Sequence, residues 1–315
     1  MSTREIQPGT FIVSLDCEGK WGMADHLTAW HHAHLNRAEL GAAYRQLLAL
    51  FRRYQIPASF AFVMAFVLSE SEQAEMADHF GDVPIEGANW LAAFRAAQAT
   101  GDLSGWSHPE LLDLVRAEPM HEIACHGFTH LPLAEELVPR AEAVRELAAC
   151  QEAARIKGLT LETCVYPRNL KGWPQVLAEA GLKGFRARPA RRGKLGLLAA
   201  ELNPFDASQG PCSGEAGLTV IPSGEMLNWQ SGPRKAIPRA ASRLRWKSRL
   251  EHAAQTGGTA HIWLHPHNLI DAPGTAERLE DVLAMAAALR DAGRLDIVTQ
   301  AAYCARTNSR HQKAP

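Results

Sequence analysis

Short apolar runs alternate along this chain with longer amphipathic stretches. The run from Phe11 to Leu15 is typical of a buried strand, and apolar positions from Leu35 to Tyr54 recur at helical spacing. Strands that alternate with helices predict βαβ units and a largely parallel sheet. About eight segments have the composition of strands, and they begin near positions 11, 58, 121, 161, 184, 218, 260 and 295.

About eight strands in 315 residues fit a closed or nearly closed α/β barrel, with an active site at the carboxyl ends of the strands. An open, doubly wound sheet is the alternative. No G-x-G-x-x-G and no G-x-x-x-x-G-K-[ST] follows a predicted strand, which disfavours the nucleotide-binding folds. We expect a single domain over residues 1–315, with inserted segments around 70–106 and 190–258.

Four of the predicted strands end in side chains that can take part in chemistry. The carboxyl ends of parallel strands share one edge of a sheet, so these groups should lie close together. An aspartate at a strand end can also serve a turn, and a glutamate beyond it can be solvated. The four endings are Asp16/Glu18, His126/His130, Arg168/Asn169 and His265/His267.

His126 and His130 are four residues apart, which places two imidazoles on one side if a helical turn begins there. Two histidines, one carboxylate and open positions suit a catalytic Zn²⁺, Fe²⁺ or Co²⁺ ion. The alternative is a hydrogen-bonded core histidine at 126 and a helix-start residue at 130. The acids that end a neighbouring strand favour the metal site.

Composition excludes several classes of protein. The chain is 46% hydrophobic, and its 33 Lys and Arg residues balance 34 Asp and Glu residues, so no overall positive field attracts nucleic acid. Six cysteines without a C-x-x-C pair favour reduced thiols. The N-terminus lacks the apolar segment of a signal peptide, and the longest apolar run, Ala58 to Leu68, is too short to span a bilayer. We therefore expect a cytoplasmic protein without a transmembrane segment.

The strand endings resemble, in their order, the motifs of NodB-type polysaccharide deacetylases, which form carbohydrate esterase family four. The resemblance extends from about Phe11 to Val298, and the histidine pair with its glycine is its most specific part. It implies a distorted (β/α)₇ barrel and a metal-dependent hydrolase. The motifs are Asp16-Cys17-Glu18-Gly19, His126-Gly127-Phe128-Thr129-His130, Tyr166-Pro167-Arg168-Asn169 and Trp263-Leu264-His265.

The resemblance also implies a role for each motif residue. Asp16 would be the general base, Arg168 would hold it ionised and oriented, and His265 would be the general acid. The commonest family pattern has adjacent aspartates, so the separation of the two acids by Cys17 leaves their order open. The usual fourth motif, with its Asp and Trp, is not evident. The metal ligands would be Glu18, His126 and His130. Apart from the resemblance, we take Trp21, Asn169 and His267 as candidate substrate-binding residues.

The expected function is metal-dependent removal of an N-acyl group, most simply N-acetyl, from a sugar. The missing export signal points to a nucleotide-linked or lipid-linked precursor of a surface polysaccharide. Zinc is the expected ion, with Co²⁺, Fe²⁺ and Ni²⁺ as alternatives. The rival functions are an amide hydrolase of the allantoinase or cyclic-imidase kind and a non-catalytic sugar-binding module. The sequence leaves the oligomeric state open.

Three further features have two interpretations each. Trp21 could stack on a sugar or pack in the core. A histidine-rich loop could hold a second metal or be solvated, and a basic segment could bind an anionic substrate or form a solvated helix face. The loop contains His26, His31, His32 and His34, and the segment contains Arg234, Lys235, Arg239, Arg243, Arg245, Lys247 and Arg249.

Overall fold

The computed structural model describes residues 7–188, 214–227, 232–272 and 274–313, together with positions 196, 201 and 203. Part of the predicted insertion around 190–258 lies outside these residues. The described strands are β1 (Gly9–Cys17), β2 (Ser59–Phe62), β3 (Pro84–Ile85), β4 (Ala88–Asn89), β5 (Glu122–Cys125), β6 (Thr163–Cys164), β7 (Gly184–Arg186), β8 (Thr219–Ile221), β9 (Glu225–Met226), β10 (Thr259–Leu264) and β11 (Leu295–Val298).

Helices occupy most of the connections between these strands. No described helix has both the length and the apolar composition needed to cross a membrane. The described helices are α1 (Ala29–His34), α2 (Arg37–Tyr54), α3 (Glu70–Glu75), α4 (Ala92–Thr100), α5 (Pro109–Arg116), α6 (Arg140–Lys157), α7 (Pro174–Glu179), α8 (Arg239–Thr256), α9 (Asn268–Asp271), α10 (Thr275–Asp291) and α11 (Gln300–Lys313).

Nine of the described strands form one sheet in the order β8-β7-β6-β5-β2-β1-β10-β9, with β11 paired to the beginning of β1. Every pairing in this sheet is parallel, and β3 and β4 form a separate antiparallel hairpin. The result is a half-barrel with flanking helices, which confirms the predicted α/β class and distorted barrel. β1 lies near the middle of the sheet, so its end is surrounded by the ends of its neighbours.

The apolar run from Ala58 to Val67 is only partly a strand. β2 ends at Phe62, and residues 63–68 form a fully buried irregular turn. Its backbone amides donate to the end of β1 and to the loop after β5: Val63 N to Cys17 O at 3.0 Å and Met64 N to Gly127 O at 2.9 Å. Because a buried loop with satisfied amides is as apolar as a strand, composition alone did not separate the two.

Trp21 is a core residue, so its predicted role as a sugar-binding side chain is wrong. Its side chain is 0% exposed, and its indole Nε1 donates to Trp106 O at 2.9 Å. The ring lies 4.6 Å from Phe94 and 4.9 Å from Trp106 between centroids. These partners come from the predicted insertion around 70–106, which therefore packs directly on the segment that follows β1.

The basic segment is also partly internal. Arg245 and Arg249, on α8, are buried and pair with Glu225 of β9 at 3.2 and 3.4 Å. Arg243 and Lys247 are exposed on the same helix. The two buried arginines thus join α8 to the sheet, and the expectation that they face an anionic substrate does not hold.

Candidate active site

Asp16 and Glu18 emerge from the end of β1, and His126 follows β5 directly. The loop after β5 can turn back sharply because Gly127 adopts a positive φ of 79°, a conformation that favours glycine. Gly22 lies against the side chain of Glu18. A Cβ atom at that position would lie 2.1 Å from the Oε1 atom of Glu18, so only glycine leaves room for this carboxylate.

Glu18, His126 and His130 converge on one point. The Oε2 atom of Glu18 lies 3.0 Å from His130 Nε2 and 3.4 Å from His126 Nε2, and all three residues are buried. His130 reaches this position from a left-handed backbone conformation with φ of 60°, which is uncommon for a residue with a side chain and is often found at functional sites.

The side chains of this group have lone pairs available for a metal ion. His126 Nδ1 lies 2.8 Å from the carbonyl oxygen of Val165, which can only accept, so the proton is on Nδ1 and the lone pair on Nε2. Among the described residues, His126 Nε2 and both ring nitrogens of His130 have no hydrogen-bond partner. Two imidazoles and a carboxylate are ligands that Zn²⁺ and other divalent transition metals accept.

In the described part of the chain, these three side chains form the one group of three potential ligands whose ligand atoms all lie within 4.8 Å of one another. The histidine-rich loop after β1 supplies no second group of this kind there. Its His34 instead pairs with Glu39 at 3.0 Å.

Asp16 pairs with Arg186, a residue that the sequence analysis did not select. The guanidinium donates to both carboxylate oxygens, at 2.8 and 2.7 Å, and both side chains are buried. Burial raises the pKa of Asp16. The charges of Arg186 and His126 and the hydrogen bonds from Arg186 lower it by more, so the pKa of Asp16 lies below its usual value. Asp16 is therefore held ionised in the interior of the sheet.

A chain of hydrogen bonds continues from Arg186 beneath the site. Its Nη1 donates to Ser14 Oγ at 3.1 Å, and Ser14 lies 2.8 Å from His261 Nε2. His261 Nδ1 lies 2.7 Å from the carbonyl oxygen of Pro222, so Nδ1 carries the proton and Nε2 accepts from Ser14. Burial lowers the pKa of His261 to about 3, which agrees with a neutral imidazole.

Arg168 does not contact Asp16, so the expected pairing of these two residues is wrong. Its guanidinium instead pairs with Asp25 and lies 5.0 Å from the centroid of the Trp90 ring. Although burial raises the pKa of Asp25, hydrogen bonds from Arg168 and His26 lower it to about 2. The physical reason is the left-handed turn at Arg168, with φ of 56°, which sends the side chain toward the rim.

His265 approaches the Glu18–His126–His130 group from the end of β10. Its Nε2 lies 3.5 Å from Glu18 Oε1, and the Oδ1 atom of Asn268 accepts from the His265 backbone N at 3.1 Å and lies 3.3 Å from its Nδ1. Burial raises the pKa of Glu18, but the neighbouring imidazoles of His265, His130 and His126 lower it to well below its usual range.

The two remaining predicted residues lie beside these groups. The ring of His267 stacks on that of His265 with centroids 5.0 Å apart, and burial lowers the pKa of His267 to about 3. The Oδ1 atom of Asn169 accepts from Arg186 Nη2 at 2.9 Å. Asn169 therefore supports the arginine that holds Asp16, while its part in substrate binding remains a prediction.

Comparisons with known proteins place this geometry in a structural context. No protein-family model matches the sequence, and no curated protein sequence does. A solved structure described as a polysaccharide deacetylase from Mycobacterium smegmatis matches with a TM-score of 0.63 at 18% identity, covering 99% of this chain and 94% of that one. This chain has the NodB-like polysaccharide deacetylase fold.

Two further structures match less well. The Xyl-CE4 domain of a multidomain xylanase from the hindgut metagenome of Trinervitermes trinervoides has a TM-score of 0.43 at 10% identity, covering 96% of this chain and 92% of that one. A family 4 acetyl xylan esterase from Clostridium thermocellum, in complex with a cobalt ion, has a TM-score of 0.42 at 14% identity, covering 92% and 87%.

A buried glutamate from below fixes the loop that carries the two histidines. The Oε1 atom of Glu146, on α6, accepts from the backbone amides of Phe128 at 2.8 Å and Thr129 at 2.7 Å. Its Oε2 lies 3.1 Å from the Thr129 hydroxyl. Burial raises the pKa of Glu146 to about 7, more than these hydrogen bonds lower it. No sequence motif marked this residue, because it lies inside an ordinary helical pattern.

Loss of a metal ligand should abolish tight metal binding. In titrations with Zn²⁺ and with Co²⁺, we expect one ion per chain, and Glu18→Ala, His126→Ala and His130→Ala should each weaken binding by more than the roughly 10–100-fold cost of losing an outer hydrogen-bond partner. His32→Ala is the matched control, since that exposed histidine has no place in the cluster. Unchanged affinity in both histidine variants of the cluster would place the metal elsewhere.

Glu146 should make the stability of the fold depend on pH. The unfolded carboxyl loses its proton near pH 4.5 and the folded one near pH 7, so the native state holds an extra proton between these values. Stability therefore falls as pH rises through this window, by on the order of 3 kcal/mol in total. Glu146→Gln removes the titrating group and keeps an oxygen that accepts hydrogen bonds. The free energy of unfolding of this variant, relative to that of the parent, should therefore increase with pH.

The measurement is denaturant unfolding in chelator between pH 4.5 and 8, compared between Glu146→Gln and the parent. Glu152→Gln is the control, because that carboxylate pairs with Arg155 near the surface of the same helix. A constant difference across the pH range would mean that the backbone amides keep Glu146 ionised in the native state.

Proposed function

We propose that this protein is a metal-dependent hydrolase that removes an N-acyl group, in the first instance N-acetyl, from a sugar. The observation that supports this is the juxtaposition, in one cleft, of an ionised buried aspartate, a group of metal-binding side chains and an imidazole. His265 Nε2 lies 3.5 Å from Glu18, and Asp16 is held by Arg186 at the end of β7. The fold shared with the mycobacterial structure is consistent with this chemistry.

Glu18, His126 and His130 would hold the ion, for which zinc is the first candidate and Co²⁺, Fe²⁺ and Ni²⁺ the alternatives. A bound divalent ion polarises an amide carbonyl and lowers the pKa of water from ~15.7 toward ~7. The residues fit such an ion because His126 Nε2 and both ring nitrogens of His130 have no hydrogen-bond partner among the described residues. His126 is held in the correct tautomer by Val165 O.

Asp16 would act as general base and His265 as general acid. Asp16 accepts a proton from the attacking water, and Arg186 keeps the carboxylate ionised and fixed in orientation. Asn268 fixes the ring of His265 through Nδ1, so Nε2 faces the cleft and can deliver a proton to the leaving nitrogen. The C–O bond forms as the C–N bond breaks, and the products are a carboxylate and an amine. Arg168, at the rim, is better placed to border the substrate than to orient the base.

The decisive test is turnover with metal-loaded protein on N-acetylated sugars, both free and nucleotide-linked, followed by release of acetate and of a free amine. Asp16→Asn should lower kcat on the order of 10²–10⁴-fold and retain the metal, because the amide keeps the shape and loses the basic oxygen. A cyclic ureide or imide in the same panel tests the alternative function, that of an allantoinase-like or cyclic-imidase-like hydrolase. Hydrolysis of that substrate alone, or sugar binding without any turnover, would contradict the proposal.

The two arginines should differ in what they control. Arg186→Lys loses the paired hydrogen bonds to a buried carboxylate, so the pKa of Asp16 should rise and the acidic limb of kcat/KM should move to higher pH. Arg168→Lys should act mainly on KM and leave that limb in place. Both variants need a melting curve as a check on folding. If Arg168→Lys shifts the acidic limb and Arg186→Lys does not, Arg168 is the residue that orients the base.

A further inference from the structure

Trp90 joins the inserted segment around 70–106 to the loop that carries His130. It lies in the turn between β4 and α4, is 3% exposed, and its indole Nε1 donates to Thr129 O at 2.9 Å. That oxygen belongs to the peptide group between Thr129 and His130. The hydrogen bond therefore fixes the peptide plane from which His130 enters its left-handed conformation, with φ of 60°. An uncommon backbone conformation persists only where the surrounding contacts enforce it.

The two histidines of the site are oriented by different contacts. His126 Nδ1 is fixed by Val165 O at 2.8 Å. His130 Nδ1 is buried and has no hydrogen-bond partner in the described part of the chain. Its ring instead lies against that of Trp90, with centroids 6.5 Å apart and planes inclined by 27°, which is within the range of favourable aromatic pairs. A ring contact thus takes the place of the hydrogen bond that usually orients a metal-ligating histidine.

We propose that Trp90 is a positioning residue of the metal site, which holds both the backbone and the ring of His130 and so raises the affinity for the ion. This inference rests on the proposed metal-dependent function and adds to it a residue outside the four motifs. A ligand ring that is already held in place loses less freedom when it binds an ion than a ring that rotates. The Arg168 guanidinium, 5.0 Å from the Trp90 ring centroid, adds a cation–π contact that fixes the indole in turn.

Titrations of the full chain with Zn²⁺ and with Co²⁺ test this proposal. Trp90→Leu removes the hydrogen bond and the ring contact, and it should weaken binding roughly 10–100-fold, the usual cost of losing an outer partner of a metal ligand. Trp90→Phe keeps a ring and loses the indole N–H, so we expect a smaller loss, and this variant carries the test if Trp90→Leu does not fold. At saturating Co²⁺, the visible absorption spectrum of Trp90→Leu should differ from that of the parent, because His130 is held less firmly.

Trp246→Leu is the matched control for the loss of a buried tryptophan. Trp246, on α8, is 0% exposed and has the Arg249 guanidinium 5.9 Å from its ring centroid. The described rings in contact with His130 are those of Trp90 and His126, so this substitution leaves them in place. Trp246→Leu should lower the melting temperature, measured in chelator for every variant, and keep the metal affinity and the Co²⁺ spectrum of the parent.

Three results overturn the role of Trp90 and leave the proposed hydrolase function in place, because the parent still binds its ion. In the first, folded Trp90→Leu and Trp90→Phe bind both ions as the parent does. In the second, Trp246→Leu weakens binding as much as Trp90→Leu. In the third, the Co²⁺ spectrum of Trp90→Leu equals that of the parent. A parent chain that binds neither ion overturns both proposals, and that failure is recognised without any substitution.

Discussion

The ion pair between Asp16 and Arg186 is the interaction on which the site depends. Further hydrogen bonds to both partners help such a pair to offset the cost of desolvation. Here the two Nη atoms of the guanidinium donate to the carboxylate, to Ser14 and to Asn169, and the guanidinium lies 4.7 Å from the Trp263 ring centroid, while its Nε has no hydrogen-bond partner among the described residues. These contacts join β1, β7, β10 and the loop after β6, so four segments of the sheet and its edge fix the position of the Asp16 carboxylate.

A second buried acid, Glu146, accepts several hydrogen bonds from the loop that carries His126 and His130. Glu146 accepts three backbone amides there, the weakest from Leu131 at 3.4 Å, and so fixes a loop that includes a left-handed His130. Helix α6 thus holds the backbone from which the two imidazoles converge. Preorganisation of this kind reduces the reorganisation that ligand binding would otherwise require.

The strand endings could be predicted from sequence because each is a local event, an apolar run that stops at a charged or imidazole side chain. The parallel topology then brings Asp16, Glu18, His126, His130 and His265 together without further information. Arg186 was missed because it ends a strand of only three residues, too short for a clear apolar run to mark its end, and because its partner, Asp16, is 170 positions away in sequence. Trp21 was open to two interpretations because the partners that bury it come from an insertion whose path the local pattern does not specify.

The burial of Trp21 has a consequence for how sequence change in this fold could alter the site. The segment around 70–106 supports the Glu18–His126–His130 group from two directions. Its Phe94 and Trp106 pack on Trp21, three residues after Glu18, and its Trp90 donates to Thr129 O at 2.9 Å, one residue before His130. Replacement of this whole segment would remove the contacts that support Glu18 and His130 at the same time. Single substitutions at exposed positions of this segment therefore disturb the site less than replacement of the whole segment.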